Sequence, residues 1–402
     1  MGRGMTIGER VAWYRTRRGL SQEVLAGLVD RTTDWLSKVE NGRAPLDRIP
    51  VVRALADALD VSLGDLLGEP SLTQWPSSAP QRTLTLLRDT LMDYASLTLA
   101  LSDGQRMPLP QLRSGVEAAW SAYQASRFGY AMTVLPRLIS GAHATARQAT
   151  DEGTRREAER WLALAYHAAA ATLGKVGESE LGWIASDRGL AAAEASEDRA
   201  VVASLLRSVA HSMMSNGRYS AAADVVSRAT DRLTRGEQAD DPTWWSLLGS
   251  LYLVGAMAAA RADQAGEART FLARARQAGA ALGHDANHAW TAFGPTNVAV
   301  HDVSVALEVG DLQVALHLAP KVDGRGLPVE RRVRHLLEVA RVYHLANRPD
   351  DAVNVLLQAE QDSAEQVRYH YIARELVTTW MRDRGTRQLP AVDGLARRLQ
   401  LV

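Results

Sequence analysis

The chain has 402 residues, and its 46 Lys and Arg residues balance 46 Asp and Glu residues, so its formal net charge is zero. A chain of this length can form two or three domains, and its abundance of Ala, Leu, Val and Arg favours helix over sheet. It has no cysteine, no signal-like apolar segment near its N-terminus and no run of about 18 apolar residues, so we expect a cytoplasmic protein without disulfides, Cys-ligated metals or membrane spans.

Residues 6–68 form the first predicted unit, a set of five short helices. Apolar residues recur at helical spacing in four segments, and LGDLLG supplies the fifth. The breaks between helices fall at Gly19, Gly42 and Gly68. The first 45 residues hold eight basic and five acidic side chains. We therefore predict a basic head (1–68), which favours a polyanionic partner.

The second and third helices of the head carry the most specific pattern, LSQEVLAGLVDRTTDWLSKVENGRAP. Ser21 and Thr32 are good N-caps for these helices, and Leu36 and Val39 would anchor the third helix to the core. The opposite face presents short hydrogen-bonding groups and one cation, namely Thr33, Asp34, Ser37 and Lys38. Such groups suit base edges and phosphates in a major groove. The alternative is a helical module that binds only protein.

This pattern resembles the Cro/XRE-type helix-turn-helix family. The matching residues are Arg15, Leu20, Ser21, Gln22, Leu25, Ala26, Leu36, Ser37, Val39, Glu40 and Gly42. The resemblance implies that Gln22 meets a phosphate or base, that Glu40 supports the fold and that Arg43 follows the recognition helix. It also implies a homodimer on a double-stranded DNA operator. The chain departs from the family at the turn, where Asp30-Arg31 replace Gly and an apolar residue, although Asp tolerates left-handed geometry. The candidate DNA-binding residues are Arg15, Gln22, Arg31, Thr32, Thr33, Asp34, Ser37, Lys38, Asn41 and Arg43.

Residues 69–83 are rich in Pro and Ser and predict a linker, the alternative being an ordered loop within one domain. Residues 84–402 form the predicted body, which is helical throughout. A six-residue pattern recurs in the body. Its first position is a turn residue, its third position is a large ring or apolar side chain, and its sixth position is a small residue. The pattern starts at 126, 181, 217, 263, 310 and 347. We expect each copy to mark a turn between antiparallel helices, since the small residue allows close approach.

This repeat resembles the tetratricopeptide repeat, whose unit is about 34 residues long. The resemblance implies an all-α fold in which helical hairpins stack into a superhelix with a concave groove. A non-repeating helical bundle is the alternative.

Polar residues form stripes on the first helices of three hairpins, which we expect to line the groove. The stripes are Ser204, Ser208, His211 and Ser215; Asn297, His301, Ser304 and Glu308; and Arg334, Glu338 and Arg341. Each stripe faces one way because its members are three or four residues apart. A solvated helix face would show the same spacing.

Gly294-Pro295 interrupts a helical region and allows a new helix to begin at Pro295. Asn297 would then lie in its first turn, and Trp290 and Phe293 could wall a pocket. Alternatively, Asn297 is a local cap and the two aromatic residues are core. The candidate ligand-binding residues are Asn297, His301, Trp290, Phe293, Ser304, His211, Arg207, Arg334, Glu338 and Arg341.

The combination of head and body resembles helix-turn-helix regulators with tetratricopeptide-like domains from high-GC filamentous bacteria. The segments FGPTNVAVH and ALEVGD carry this resemblance. It is also similar in architecture to the RRNPP peptide receptors, which implies a signalling peptide or small molecule as ligand, as in quorum sensing. We predict a DNA-binding transcription regulator whose body senses a ligand. The alternatives are a body that docks a protein partner and a scaffold that never meets DNA. No nucleotide-binding, metalloprotease or nucleophile motif is found, so we predict no enzyme and no cofactor.

Overall fold

The computed structural model of the chain describes residues 5–68, 79–92, 105–234, 241–383, 385–386 and 389–402. Within these ranges every regular element is a helix and no β-strand occurs. The predicted all-α fold class is therefore confirmed.

The head contains the five predicted helices. They are α1 (Ile7–Arg17), α2 (Gln22–Leu28), α3 (Thr33–Glu40), α4 (Ile49–Leu59) and α5 (Leu63–Leu67). The hydroxyls of Ser21 and Thr32 accept hydrogen bonds from the backbone amides of Val24 and Trp35, so both predicted N-caps are confirmed. Asp30 adopts φ 52° at the turn between α2 and α3. The short polar side chain of Asp makes this left-handed position accessible without glycine.

The predicted linker (69–83) overlaps the first turn of a helix. Residues 69–78 lie outside the described residues, and helix α6 (Ala79–Met92) already begins within the predicted 69–83 segment. Leu84, Leu87 and Leu91 of α6 are buried in the core of the body. Their spacing of three and four residues places them on one face of the helix.

The body is a stack of antiparallel helical hairpins. Its helices are α7 (Leu109–Gln124), α8 (Phe128–Arg147), α9 (Glu152–Lys175), α10 (Ser179–Ser196), α11 (Arg199–Ser215), α12 (Tyr219–Thr234), α13 (Pro242–Arg261), α14 (Ala265–Leu282), α15 (Pro295–Glu308), α16 (Leu312–Leu318), α17 (Val329–Leu345), α18 (Pro349–Asp362), α19 (Ala364–Tyr369), α20 (Tyr371–Arg382) and α21 (Pro390–Arg398). Short 3-10 turns interrupt the chain at His288–Trp290, Ala319–Lys321 and Gly324–Gly326.

Most of the predicted turns join two helices of a hairpin, and one is misplaced. The turns at 126, 217, 263, 310 and 347 each contain a residue with positive φ. Leu181, the expected start of the remaining copy, lies inside α10, and the turn is at Gly177 instead. Gly182 supplies the small residue of that copy, and a Cβ there would lie 3.5 Å from the carbonyl oxygen of Ala170. The sequence pattern therefore predicts this turn four residues too late.

Helix α13 is apolar along most of its length. Among the described residues it is the one helix long and apolar enough to cross a membrane, but 83% of that window is buried inside the fold. Burial of this kind is typical of a central core helix.

The head packs against the ends of the body hairpins where their turns lie. Arg53 of α4 donates to the carbonyl oxygen of Asn216, 3.1 Å away, in the turn between α11 and α12. Arg48 pairs with Asp263, at 2.6 Å, in the turn between α13 and α14. Buried apolar side chains of the head and of α11–α15 form one continuous cluster. Head and body therefore share a core in this arrangement.

A second contact holds the start of α1 on α20. The carboxylate of Glu375 accepts hydrogen bonds from the backbone amide of Ile7, at 3.0 and 3.1 Å, and from Arg10, at 3.4 Å. Arg10 also donates to the carbonyl oxygens of Leu66 and Leu67, at 2.6 and 3.0 Å. The same guanidinium thus joins α1, the end of α5 and the body.

Candidate functional site

The polar face of α3 remains exposed with the body in place. Leu36 and Val39 are buried in the head, whereas Thr33, Asp34 and Lys38 are exposed. Lys38 pairs with Asp34 at 2.6 Å. An exposed pair one helical turn apart contributes little to stability, so Lys38 can exchange this partner for a phosphate at small cost.

Three of the candidate DNA-binding residues form hydrogen bonds within the head. Arg15 donates to both carboxylate oxygens of Glu40, at 2.6 and 2.9 Å, and to the carbonyl oxygen of Leu20, at 2.8 Å. The hydrogen bond with Glu40 raises the pKa of Arg15. Gln22 donates to Glu40 at 2.7 Å, and Asn41 donates to the carbonyl oxygen of Ser37 at 2.7 Å. Arg15 and Gln22 therefore have structural partners in the head, and their shared acceptor Glu40 connects α1, α2 and α3.

The remaining candidates lie at the ends of α3. Thr32 caps the helix with its hydroxyl, and Arg43 is exposed just after it. Arg31, also exposed, places its guanidinium 5.8 Å from the centroid of the Trp35 ring. Arg31 therefore lies on the outside of the head, beside Trp35 of α3.

The body encloses a cavity of about 290 Å³. Most of its lining comes from the first helices of successive hairpins, α7, α9, α11, α13, α15 and α17, and the rest of the body lining includes residues of α10, α12, α19 and α20. The head closes one side with Ile49, Leu63 and Leu67. Side chains from both domains therefore face the same space.

A stacked aromatic pair forms one wall of the cavity. The rings of Trp120 and Trp290 are 5.4 Å apart and nearly parallel, with an interplanar angle of 7°. The ring of His167 meets Trp120 edge-on at 4.7 Å. The loop that carries Trp290 is fixed to α7 by a reciprocal amide pair between Asn287 and Gln124, at 2.8 and 2.9 Å.

Asn297 holds this loop from the other side, and this explains the interruption at Gly294-Pro295. Its side-chain amide is buried and donates to the carbonyl oxygen of Ala292 at 2.9 Å. Gly294 is needed because a Cβ there would lie 2.5 Å from the Cα of Asp285. The break thus creates a tightly folded loop that presents Trp290 to the cavity.

The structure brings six of the ten candidate ligand-binding residues to the cavity: Trp290, His301, Ser304, His211, Arg207 and Arg334. The other four lie behind its wall. The ring of Phe293 is fully buried against Gly249, and Asn297 is directed to the loop. Asn297 and Phe293 therefore do not line the cavity, and their contacts in this structure are with the loop and with α13.

Glu338 and Arg341 lie outside the cavity because they form a buried ion network. Arg341 lies 3.3 Å from Glu338 and 3.9 Å from Glu308. Arg261 pairs with Glu308 at 3.3 Å, and Arg334 pairs with Glu338 at 3.1 Å. Burial opposes the charged form of Glu338, but the neighbouring Arg side chains lower its pKa on balance. The network fixes α13, α15 and α17 relative to one another.

The histidines around the cavity are held neutral. Burial and then the charge of Arg331 lower the pKa of His301 to about 3. Burial and then the charge of Arg207 hold the pKa of His167 and of His211 well below the ordinary value. Nδ1 of His301 donates to the carbonyl oxygen of Asn297 at 2.8 Å. These imidazoles therefore act as hydrogen-bonding groups rather than as charges at neutral pH.

Several lining residues were missed by sequence reasoning, namely Trp120, His167, Lys175, Glu330, Arg331, His370 and Tyr371. Lys175 of α9 pairs with Glu330 of α17. One signal was available, since the stripe of Arg334 and Glu338 continues one turn earlier to Glu330. The remaining residues are brought together only by the stacking of the hairpins.

Among the comparisons with known proteins, a family model identifies the type of domain that the head forms. Residues 6–69 match the family model described as a helix-turn-helix domain. No curated protein matches the chain significantly.

Three solved structures are similar to the chain at low identity. Aspartyl phosphate phosphatase F from Bacillus subtilis has 12% identity and a TM-score of 0.45, over 89% of this chain and 93% of that one. PlcR from Bacillus thuringiensis, in complex with a peptide and DNA, has 14% identity and a TM-score of 0.23, over 69% and 99%. The apo form of ComR from S. thermophilus has 12% identity and a TM-score of 0.27, over 92% and 96%. These similarities are too distant to carry a functional argument, and the firm result is that the head is a helix-turn-helix domain.

Proposed function

We propose that the protein is a transcription regulator that binds duplex DNA through α3 as a homodimer. Support comes from the helix-turn-helix match over 6–69 and from the exposed polar face of α3, which the body leaves uncovered. Lys38 and Arg43 would meet phosphates, and Thr33 and Ser37 would meet base edges. Two heads would bind two half-sites about one helical turn apart.

The proposal extends to regulation by a ligand in the cavity of the body. The observation that carries it is the mixed wall, in which Ile49, Leu63 and Leu67 of the head face the same space as the body residues. A ligand there contacts both domains, so its affinity depends on how the head is placed. By linkage, the ligand then shifts the placement of the head and with it DNA binding. A concave cavity with a stacked aromatic wall favours this function over docking of a protein partner.

DNA binding is tested by selecting sequences from random duplexes with the full chain. We expect enrichment of a defined site, and Ser37→Ala should change the preferred sequence, because direct readout comes from side chains at base edges. Arg155→Ala is the control, since it removes a partly exposed side chain from α9, far along the chain from the head. Enrichment of the same sequence by Ser37→Ala, or no salt-sensitive binding to duplex, would contradict this assignment.

Regulation is tested by native mass spectrometry of the full chain followed by DNA titration. The spectrum reports the dimer mass and any small molecule that the chain retains. Removing that molecule should change operator affinity by roughly 5- to 150-fold, the usual range of allosteric coupling. An operator affinity that is the same with and without the molecule would refute regulation while leaving DNA binding intact.

A further inference from the structure

The charged lining of the cavity is strongly biased toward cations. Five cationic side chains line it: Lys175, Arg207, Arg261, Arg331 and Arg334. Glu330 is the one carboxylate among the described lining residues. A low-dielectric space bordered by charges of one sign attracts a ligand of the opposite sign.

Three of these cations already have carboxylate partners. Lys175 pairs with Glu330, Arg261 with Glu308 and Arg334 with Glu338. Arg331 reaches Glu330 only at 3.9 Å, and Arg207 has no carboxylate within ion-pair distance among the described residues. The surplus charge is therefore concentrated on Arg207 and Arg331, which come from α11 and α17.

Arg207 is the more informative of the two. Its residue is 7% exposed, and its Nε has no hydrogen-bond partner among the described atoms. Its guanidinium contacts Nε2 of His167, at 3.5 Å. Burial, and then the charge of Arg331, lower the pKa of Arg207 to about 10, so it remains charged at neutral pH. A buried cation without a partner destabilises the fold. A protein can keep such a cation when a bound ligand supplies the missing anion.

The other unpaired polar atoms at the cavity are also donors. Nε1 of Trp120, Nε of Arg331, Nδ1 of His167 and the hydroxyls of Tyr219 and Tyr371 are buried without a hydrogen-bond partner in the described structure. The Trp and Arg nitrogens can only donate, and the other three can donate. The lining residues therefore carry several donors whose hydrogen bonds the described protein atoms do not satisfy.

Geometry connects these donors to the aromatic wall. Arg207 contacts His167, His167 meets the ring of Trp120 at 4.7 Å, and Trp120 stacks on Trp290. The volume of about 290 Å³ lies at the lower end of the range for small-molecule pockets. The space is suited to a compact molecule rather than to an extended peptide.

We propose that this cavity binds a small organic anion. Its carboxylate or phosphate group lies at Arg207 and Arg331, and its flat or apolar part lies against Trp120 and Trp290. This inference rests on the proposed function and gives the chemical class of the ligand in that site.

The first test uses three probes of similar shape with the full chain: phenylacetate, phenyl phosphate and neutral phenylacetamide. Binding is measured by calorimetry and by the fluorescence of the tryptophans, at an ionic strength held constant with sodium chloride. We expect at least one anion to bind and the amide not to bind. Preference for phenylacetate or for phenyl phosphate identifies the anionic group as a carboxylate or a phosphate. Equal affinity for the amide, or no binding of either anion at millimolar concentration, overturns the proposal.

The second test separates a ligand-binding role of Arg207 from a structural role. Arg207→Met should raise the melting temperature of the ligand-free chain, because it removes an unpaired buried charge. It should also weaken binding of the anionic probe by about tenfold or more. Arg155→Met removes a partly exposed charge that does not line the cavity, and it should leave probe binding unchanged. Arg261→Met should lower the melting temperature, because it leaves the buried carboxylate of Glu308 without a close partner.

A lower melting temperature for Arg207→Met with unchanged probe binding would make Arg207 structural and refute the assignment. This failure is distinguishable from failure of the proposed function. Altered sequence selection by Ser37→Ala would still establish DNA binding, and a neutral retained molecule that changes operator affinity would still establish regulation.

Discussion

Replacing Asn297 by Ala should destabilise the loop that presents Trp290 to the cavity. The amide of Asn297 donates to the carbonyl oxygen of Ala292 at 2.9 Å, and both residues are buried. Leaving that carbonyl unpaired costs about 1–3 kcal/mol. Part of this cost is offset, because Oδ1 of Asn297 itself lacks a partner among the described atoms. We therefore expect a net loss of about 1–2 kcal/mol in the free energy of unfolding.

The loop is sensitive to this loss because its backbone is strained. Ala289, Trp290 and Ala292 have φ values of 48°, 55° and 48°, and each left-handed non-glycine residue costs roughly 1–2 kcal/mol. Without the bond from Asn297, the loop should relax and the stacking of Trp290 on Trp120 should weaken.

Chemical denaturation followed by far-ultraviolet circular dichroism measures the stability change, and near-ultraviolet dichroism reports the tryptophan pair. Ser304→Ala is the matched control, since its hydroxyl donates only to the carbonyl oxygen of Val300 within α15, and it should have little effect. A variant at Asn297 with wild-type stability and an unchanged tryptophan signal would refute this role of the side chain.

Three further predictions concern the interfaces and the pH response. Lys38→Ala and Arg43→Ala should each weaken binding to all duplex sequences and reduce the salt dependence of the binding constant by about one unit, and an unchanged slope would mean that no phosphate is met. Glu375→Gln should increase hydrogen exchange in the head, because the carboxylate accepts bonds from both the backbone and a side chain of α1; equal protection in the variant would rule out this contact as an anchor. Burial lowers the pKa of His301 to about 3 and of His335 to about 4, from 6.5, so the unfolded chain binds protons that the folded chain does not. The free energy of unfolding should therefore fall as pH drops below 6.5, by about 1 kcal/mol per histidine between pH 7 and about 5.5. Denaturation midpoints that stay constant over this window would contradict the lowered pKa values of these two histidines.

The arrangement of the head gives the proposed regulation a physical basis. Arg48 and Arg53 contact turns of two different hairpins, and Leu63 and Leu67 border the cavity. A change in the spacing of the hairpins around a ligand would therefore change the surface on which the head rests. A ligand needs differential affinity for the two placements to shift them.

Local features of this chain were determined by the sequence itself. Ser21 and Thr32 predict the starts of α2 and α3, and Gly217 and Gly310 predict hairpin turns. Each of these signals acts within one or two helical turns, where capping and left-handed geometry depend on neighbouring residues alone. The all-α fold, the five-helix head and five of the six repeat turns could be predicted for this reason.

The site was decided by tertiary structure. Asn297 and His301 lie one turn apart on the same helix, yet the first points into the loop and the second into the cavity. That choice depends on the rotation of α15 against α13 and α17, which no pattern within α15 records. The unpaired charge of Arg207 likewise depends on which carboxylates the other hairpins bring near it, and those residues are far apart along the chain. Sequence periodicity defines a helix face, but only packing determines whether that face meets solvent, core or cavity.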